Sequence, residues 1–305
     1  MSTFITLTLN GIAAAALLFM VAAGLSLIFG LMGVLNFAHG SFFLWGAYCW
    51  LAVFNRTGNF WLGLLAAIVV GAALGVVTER IFLRPLYRRP LSQILVTLGL
   101  GLVLNQVVIA IWGVTPQYVG SIPGLSTTLH FGEVYIAQYR IFVTLLGAVV
   151  LAAVWALLRF TRIGLIVRAG VENPVMVGAL GINVGYVFLG VFALGSALAA
   201  LGGAVYAPSV FSATTDMGQN VLLSAIIVVV LGGLGSYVGS ALGALLIGLA
   251  QDYVPYYMSQ LAQTYPALQT YTSSAAALIS LVMLIAVLLV RPQGLMGLNL
   301  EGPGL

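Results

Sequence analysis

The chain has 305 residues, of which 62% are hydrophobic and only 5% are charged, and its mean hydropathy is +1.16. A soluble domain carries about 25% charged residues, so this composition excludes a soluble globular protein. The net charge of +4 comes from arginines near the ends of apolar runs, which does not indicate a nucleic-acid-binding surface. We predict an all-α fold, a polytopic bundle of transmembrane helices that forms a single domain over residues 1–305.

All ten basic residues are arginines, and the chain contains no lysine. A Walker-type phosphate loop requires a lysine, so the chain cannot contain this kind of ATPase site. If ATP drives the protein, the ATPase is therefore another chain. The single cysteine, Cys49, and the histidines His39 and His130 lie in different parts of the sequence, so we predict no metal site.

Nine apolar runs are candidates for membrane spans, each of which needs about 20 residues. They are 8–31, 35–54, 60–82, 92–112, 140–159, 184–207, 220–236, 238–253 and 273–290. The first two runs are nearly continuous, and glycines split the short pair at 220–253, so we expect eight or nine spans. Nine spans would place the N-terminus outside the membrane, and eight would place it inside.

Eight of the ten arginines cluster in three segments between or after these runs. They are Arg80, Arg84, Arg88 and Arg89 in one segment, Arg159, Arg162 and Arg168 in another, and Arg291 after the last run. The positive-inside rule places all three segments in the cytoplasm. Alternation then predicts that residues 113–139, 208–219 and 254–272 lie outside.

Residues 24–48, GLSLIFGLMGVLNFAHGSFFLWGAY, combine glycines and polar residues within an apolar run. Polar groups are costly in lipid and are tolerated where they face other protein or a wet cavity. We therefore predict that Asn36, Phe37, His39 and Gly40 line a solute path. The alternative for His39 is a hydrogen-bonded packing residue.

A second glycine-rich stretch covers residues 228–249, VVVLGGLGSYVGSALGALLIGL. Its glycines at four-residue spacing favour close helix packing. Two glycine-broken segments in the two halves of a chain are also typical of a transporter's binding site. On that second interpretation Gly232, Gly233, Gly235 and Ser236 belong to the solute path.

The segment 159–183, RFTRIGLIVRAGVENPVMVGALGIN, is too polar to span a membrane and too apolar for a linker that only connects two spans. We expect a short amphipathic helix over 171–179, with Pro174 in its first turn and Gly181 ending it. Such a helix would dock a cytoplasmic partner, or it would be an ordinary interfacial helix. The predicted docking residues are Arg162, Gly164, Arg168, Glu172, Asn173, Ala179 and Gly181.

No Asp, Glu or Arg falls at the centre of a predicted span, and only His39 could titrate at depth. Ion-coupled carriers commonly use intramembrane carboxylates, so this absence argues against a proton pump. It favours either a stand-alone channel or facilitator for a small neutral solute, or transport driven by another chain. The docking segment distinguishes the two, because a channel does not need one.

The two glycine-rich stretches, the segment TRIGLIVRAGVENPVMVGALGIN and the ending RPQGLMG occur in an order typical of one family. Together they resemble the integral-membrane permeases of branched-chain amino acid ABC transporters, the LivH type. The resemblance covers nearly the whole chain. It implies an importer subunit for branched-chain or related neutral amino acids, although amides, urea and small acids are also carried by the family.

The resemblance also implies partners and a location. The partners would be a second permease of the LivM type, two cytoplasmic ATPases that hold ATP and magnesium, and a periplasmic solute-binding protein. The chain itself would hold no cofactor and would contain no catalytic residue, because transport breaks no covalent bond in it. It would be a multi-pass protein of the bacterial inner membrane, with residues 160–183 coupling it to the ATPases.

Overall fold

The computed structural model describes residues 2–87, 89–131, 134–172, 174–272 and 274–297. Within these ranges the protein is a helical bundle with four short strands. The first helices are α1 (Ser2–Met32), α2 (His39–Thr57), α3 (Phe60–Val77), α4 (Pro90–Trp112), α5 (Gln138–Phe160) and α6 (Arg162–Glu172). The remaining helices are α7 (Pro174–Ala179), α8 (Val184–Ser209), α9 (Met217–Gly232), α10 (Tyr237–Thr264) and α11 (Ala275–Val290).

Six helices of the described chain are long and apolar enough to cross a membrane: α1, α3 with its extension to Leu86, α4, α5, α8 and α10. The apolar helices α9 and α11 are shorter, with 16 residues each, and α2 has 19. These helices occupy the nine predicted apolar runs. The prediction of a polytopic, helical membrane protein is therefore confirmed.

The centre of the bundle is formed by α1, α2 and α8. In α1 every residue from Leu18 to Ile28 is buried, and in α8 the buried stretch covers most of the second half. Large side chains of α2, including Phe42 and Phe43, are fully enclosed between these helices, while Trp50 is enclosed against Phe60 of α3. By contrast α4 and α5 lie at the periphery and expose most of their apolar side chains. An exposed apolar helix surface is the surface that lipid or another membrane subunit covers.

Contacts along α1 establish which ends of the helices share a side of the bundle. Near its start, the Thr8 hydroxyl lies 2.7 Å from the Tyr253 hydroxyl of α10. Near its end, Gly30 packs against Gly235 in the hairpin between α9 and α10. The C-terminal segment covers the same hairpin, since the Met296 amide donates to the Gly232 carbonyl at 2.9 Å. The N-terminus therefore lies opposite the side that carries Arg291, which corresponds to the nine-span alternative.

Four strands lie between the helices on the side opposite the three arginine clusters. β1 (Gln117–Tyr118) pairs antiparallel with β4 (Ser212–Ala213), and β2 (Thr128–Phe131) pairs with β3 (Val134–Ala137). The β1–β4 pair ties the α4–α5 connection to the α8–α9 connection. On the arginine-rich side, α3 continues as a π-helical turn, Thr78–Leu83, and then as a 3₁₀ turn, Arg84–Leu86.

Two predicted boundaries are wrong. α10 continues to Thr264, well beyond the predicted end at residue 253, and it accommodates Pro255 within the helix. The single helix expected over 171–179 is instead two helices, α6 and α7. The Thr161 hydroxyl accepts the Gly164 amide at 3.2 Å, so a helix begins ahead of the predicted start. Pro174 then opens α7, where its missing amide hydrogen costs nothing.

The predicted end of this segment is confirmed. Gly181 has a φ of +81°, the left-handed conformation that glycine adopts without a Cβ clash. Its amide donates to the Gly178 carbonyl at 3.0 Å, and the next amide, of Ile182, donates to Val177 at 3.3 Å. This is the Schellman pattern that closes a helix C-terminus.

Candidate functional site

A groove runs between α2, α4 and α9. Its volume is about 350 Å³, and it is open along one side of the bundle. Its lining residues are Phe37, Gly40, Ser41, Leu44, Leu98, Gly101, Leu102, Asn105, Gly218, Gln219, Leu222 and Leu223. The wall is mostly apolar with a few polar groups, which is the usual character of a small-molecule site. We refer to this feature as the α2–α4–α9 groove.

The groove exists because α2 begins in the middle of the bundle. Between α1 and α2 the backbone is not helical from Gly33 through Asn36. The Phe37 amide then donates to the Thr97 hydroxyl at 3.2 Å, and the Ser41 hydroxyl donates to the Gly101 carbonyl at 2.9 Å. Both acceptors lie well inside α4. The bond to Thr97 gives the Phe37 amide a partner that lipid could not supply.

Glycines let the helices around the groove approach each other closely. A Cβ on Gly40 would overlap the carbonyl oxygen of Gly218, and a Cβ on Gly218 would meet that of Gly40. α2 and α9 therefore touch backbone to backbone at this point. Gly101 has a looser environment, since its nearest neighbours would be 3.5 Å from an added Cβ. The floor of the groove is thus tightly packed, whereas its α4 wall is not.

Asn36 and His39 lie next to the groove but do not line it. They are 1% and 0% exposed. The His39 ring nitrogen Nε2 lies 3.0 Å from the Val21 carbonyl of α1, and the Asn36 side-chain oxygen accepts the Ala38 amide at 3.0 Å. Both residues stabilise the break between α1 and α2. This geometry favours the packing interpretation of His39, and the solute-path role of both residues stays a prediction.

The second predicted group lies elsewhere. Gly232 packs against Gly239, while Gly233 and Gly235 form the α9–α10 hairpin with φ values of +105° and +81°. The Ser236 hydroxyl accepts the Gly239 amide at 3.0 Å and so caps α10. These four residues form a hairpin on the arginine-rich side, away from Phe37 and Gly40. Their role in a solute path also stays a prediction.

Sequence reasoning missed the polar residues of the groove. Asn105 interrupts an apolar helix, and its side-chain nitrogen donates to the Thr215 carbonyl at 2.8 Å, which fixes the chain just before α9. Gln219 follows Gly218 at the start of α9 and also lines the groove. The adjacent amides Asn105 and Gln106 in the otherwise apolar run LGLGLVLNQVVIAIW were the available signal for Asn105. Nothing in the sequence places it beside residues 215–219.

Asp216 is exposed in the loop immediately before α9. The Thr214 hydroxyl beside it lowers the pKa of its carboxyl, and the Asn220 side-chain nitrogen also donates to it at 3.3 Å. The carboxylate is therefore charged at neutral pH. It places an anionic group on the side opposite the three arginine clusters, three residues from Gln219 in the groove.

The segment from Arg162 to Gly181 forms the arginine-rich surface below the spans. Gly164 packs directly on Leu158, which fixes the turn between α5 and α6. Arg162 and Ala179 are exposed, and so is Leu180, at 73%. Asn173 and the side chains of Arg168 and Glu172 lie outside the described residues. The predicted docking roles of these residues stay predictions.

The same surface is connected to the α3–α4 turn. An Arg84 guanidinium nitrogen lies 2.8 Å from the place that a Cβ on Gly185 would occupy, next to the Asn183 side chain. Asn183 in turn caps α8 by accepting the Gly185 amide at 3.0 Å. Nearby, the Tyr87 hydroxyl donates to the fully buried carboxylate of Glu79. The joint between α7 and α8 is therefore held against the inner end of α3.

The bundle, the broken α1–α2 pair and the groove define a polytopic membrane transport protein. Residues 7–288 match the family described as branched-chain amino acid transport system / permease component. The chain belongs to this family. Its members are transport permeases, and the protein is a membrane-spanning permease of the ABC importer type.

Individual relatives align with this chain over nearly its whole length. The chain is 29% identical over 295 residues to a probable branched-chain amino acid transport permease, LivH, of Methanocaldococcus jannaschii, covering 93% of this chain and 89% of that one. It is 27% identical to the LivH permease of Escherichia coli K12, covering 96% of each. It is 26% identical to the BraD permease of Pseudomonas aeruginosa, covering 94% of each.

Proposed function

We propose that this permease imports branched-chain or related neutral amino acids across a cytoplasmic membrane, and that the α2–α4–α9 groove is its half of the path. The groove is the observation that carries the proposal. Its leucines suit an aliphatic side chain, whereas Ser41, Asn105 and Gln219 offer hydrogen bonds to the polar groups of an amino acid. Asp216, near the start of α9, attracts an ammonium group.

A second permease would complete the path. The groove is open along one side, and the adjoining α4 exposes apolar side chains such as Leu95 and Leu102 along its length. A partner that packs on α4 would close the groove and bury these residues. We propose a related permease or a second copy of this chain in this position. A solute-binding protein would deliver the amino acid from the side opposite the arginines.

Energy would come from ATPase chains bound on the arginine-rich side. The chain lacks a lysine for a phosphate loop, so ATP and magnesium would be held by these partners. We propose that α7 docks on an ATPase. Because α7 leads directly into α8, and Arg84 lies against the start of α8, movement of α7 would reach both α8 and α3.

Filling the groove tests its role. Leu102 is 61% exposed and lines the groove, so Leu102→Trp adds bulk there without disturbing the core. In proteoliposomes with the complete transporter, we expect at least a tenfold loss of leucine uptake with ATP hydrolysis retained. Val149→Trp is the matched control, because Val149 is equally exposed on α5 and does not line the groove. Equal uptake by the two variants would remove the groove from the path.

A further inference from the structure

A second cavity, of about 400 Å³, lies between α1, α5, α6 and α8 on the arginine-rich side. It is lined by Leu27, Leu31, Leu157, Leu158, Ile163, Ile166, Val167, Tyr186, Val187, Gly190, Val191 and Leu194. It shares no lining residue with the α2–α4–α9 groove. We refer to it as the α5–α8 cavity.

The chemistry of the α5–α8 cavity excludes an amino acid as its natural occupant. Its side chains are aliphatic except for that of Tyr186. A zwitterion needs partners for its ammonium and carboxylate groups, and burying either group without a partner is costly. A hydrocarbon chain has no such requirement. The lining therefore matches an acyl chain.

The position of the cavity places it at the edge of the bilayer. Leu157 and Leu158 belong to the last turn of α5, and Tyr186 and Val187 belong to the first turn of α8. Tyr186 is largely exposed, and a tyrosine at the end of a span typically lies at the level of the lipid headgroups. The cavity is open on one side, so an acyl chain could enter it from the leaflet on the arginine-rich side.

Two exposed arginines are sequence neighbours of lining residues, at the end of α5 and the start of α6, so the charge near the cavity is positive. Arg159 directly follows Leu158, and Arg162 directly precedes Ile163. Arg162 also lies four residues before Ile166, so the two share a face of α6. Both arginines are exposed at the level where headgroups lie. They are complementary to the phosphate of an anionic lipid.

From this geometry we infer that the α5–α8 cavity binds one acyl chain of an anionic phospholipid from the cytoplasmic leaflet, with its headgroup held by Arg159 and Arg162. The lipid would contact α6 on one side and the spans α1, α5 and α8 on the other. It would therefore fill the space between the arginine-rich surface and the bundle. The inference does not depend on the solute or on the ATPases.

The test uses the full chain in vesicles that contain phosphatidylglycerol with a photoreactive group in its acyl chain. After illumination, labelled peptides are mapped by mass spectrometry. We expect labelling in residues 157–167 and 186–194 that exceeds the labelling by a phosphatidylcholine probe with the same acyl chain. Equal labelling by both probes would overturn the charge assignment, and absence of labelling in these segments would overturn the site.

Two variants test whether the lipid occupies the cavity. An added Cβ at Gly190 would meet nothing within 4 Å, so Gly190→Phe fills the cavity without disturbing a neighbour. We expect it to lower labelling at the cavity about tenfold, whereas Ala153→Phe, on an exposed position of α5 outside the lining, should leave labelling unchanged. If both variants keep the wild-type labelling, the lipid does not occupy the cavity.

The arginines are tested separately. A basic residue near an anionic membrane surface changes binding by about fivefold, so Arg162→Gln should lower the phosphatidylglycerol preference by about that factor. Labelling by phosphatidylcholine should not change, which shows that the cavity itself is intact. An unchanged preference in the double variant Arg159→Gln with Arg162→Gln would contradict the proposed headgroup contact.

Discussion

At the scale of single residues, the glycines around His39 act mainly through close packing. Gly24 meets Gly195, Gly40 meets Gly218, and Gly203 meets the backbone of Phe43. Each pair brings two helices together where any side chain would separate them. The density of glycine in residues 24–48 therefore follows from backbone contacts among four helices, α1, α2, α8 and α9. Of the glycines in this stretch, Gly40 also lines the α2–α4–α9 groove.

This packing predicts a difference between two neighbouring glycines. Gly40→Ala places a methyl group against the Gly218 carbonyl, so we expect the free energy of unfolding to fall by about 1–3 kcal/mol. Gly101→Ala makes only ordinary contacts at 3.5 Å and should leave it unchanged or raise it slightly. Thermal unfolding of the purified full chain measures both. Equal melting temperatures would show that α2 and α9 are not packed as described.

A second prediction concerns His39. If the only role of its ring is the hydrogen bond to the Val21 carbonyl, His39→Gln should retain transport with an unchanged KM for the solute. His39→Phe loses the hydrogen bond, which is worth about 1 kcal/mol, and should lower the melting temperature. Thermal unfolding and uptake kinetics are measured on the same preparations. A stable glutamine variant with a changed KM would instead place His39 in the solute path.

At the scale of elements, the lengths of the apolar runs and the arginine clusters were sufficient to predict the spans. The predicted run 60–82 begins where α3 begins, and 184–207 ends two residues before α8 does. The Schellman ending at Gly181 was predictable because it depends only on local chain geometry. The start of α6 was missed because the cap comes from Thr161, whose role was not recognised in an arginine-rich segment.

The groove was less predictable than the helices. Phe37 and Gly40 were predicted, but Asn105, Gly218 and Gln219 were not. They come from two further helices, and their meeting depends on α2 starting deep in the bundle. That start is set by hydrogen bonds to Thr97 and Gly101, about 60 residues away along the chain. Such long-range contacts leave no pattern in a single sequence.

An element-scale prediction concerns α7. Leu180 is 73% exposed just after this helix, so a docked ATPase would bury it. Leu180→Asp should lower uptake at least tenfold and reduce the amount of ATPase that copurifies with the chain, because it buries an unpaired charge. Val114→Asp is the control and should leave the copurified ATPase unchanged, since Val114 is similarly exposed, at 68%, but follows α4 on the opposite side of the bundle. If Leu180→Asp retains the ATPase and full uptake, α7 is not the docking element.

At the scale of the whole molecule, packing is uneven across the bundle. Its centre is tightly packed around α1, α2 and α8, while α4 and the open groove are uncovered. No Asp, Glu or Arg falls at the centre of a predicted span, whereas ion-coupled carriers commonly use intramembrane carboxylates. A facilitator would work alone, whereas the importer that we propose would need a partner at the groove and ATPases at α7.

The most direct measurement is the composition of the complex that this chain forms. The tagged chain is extracted in mild detergent, and the bound chains are identified and counted by mass spectrometry. We expect a second permease and two ATPase subunits, with leucine uptake in liposomes that depends on ATP. Recovery of this chain alone, folded and conducting a neutral solute without ATP, would contradict the importer and support a stand-alone facilitator.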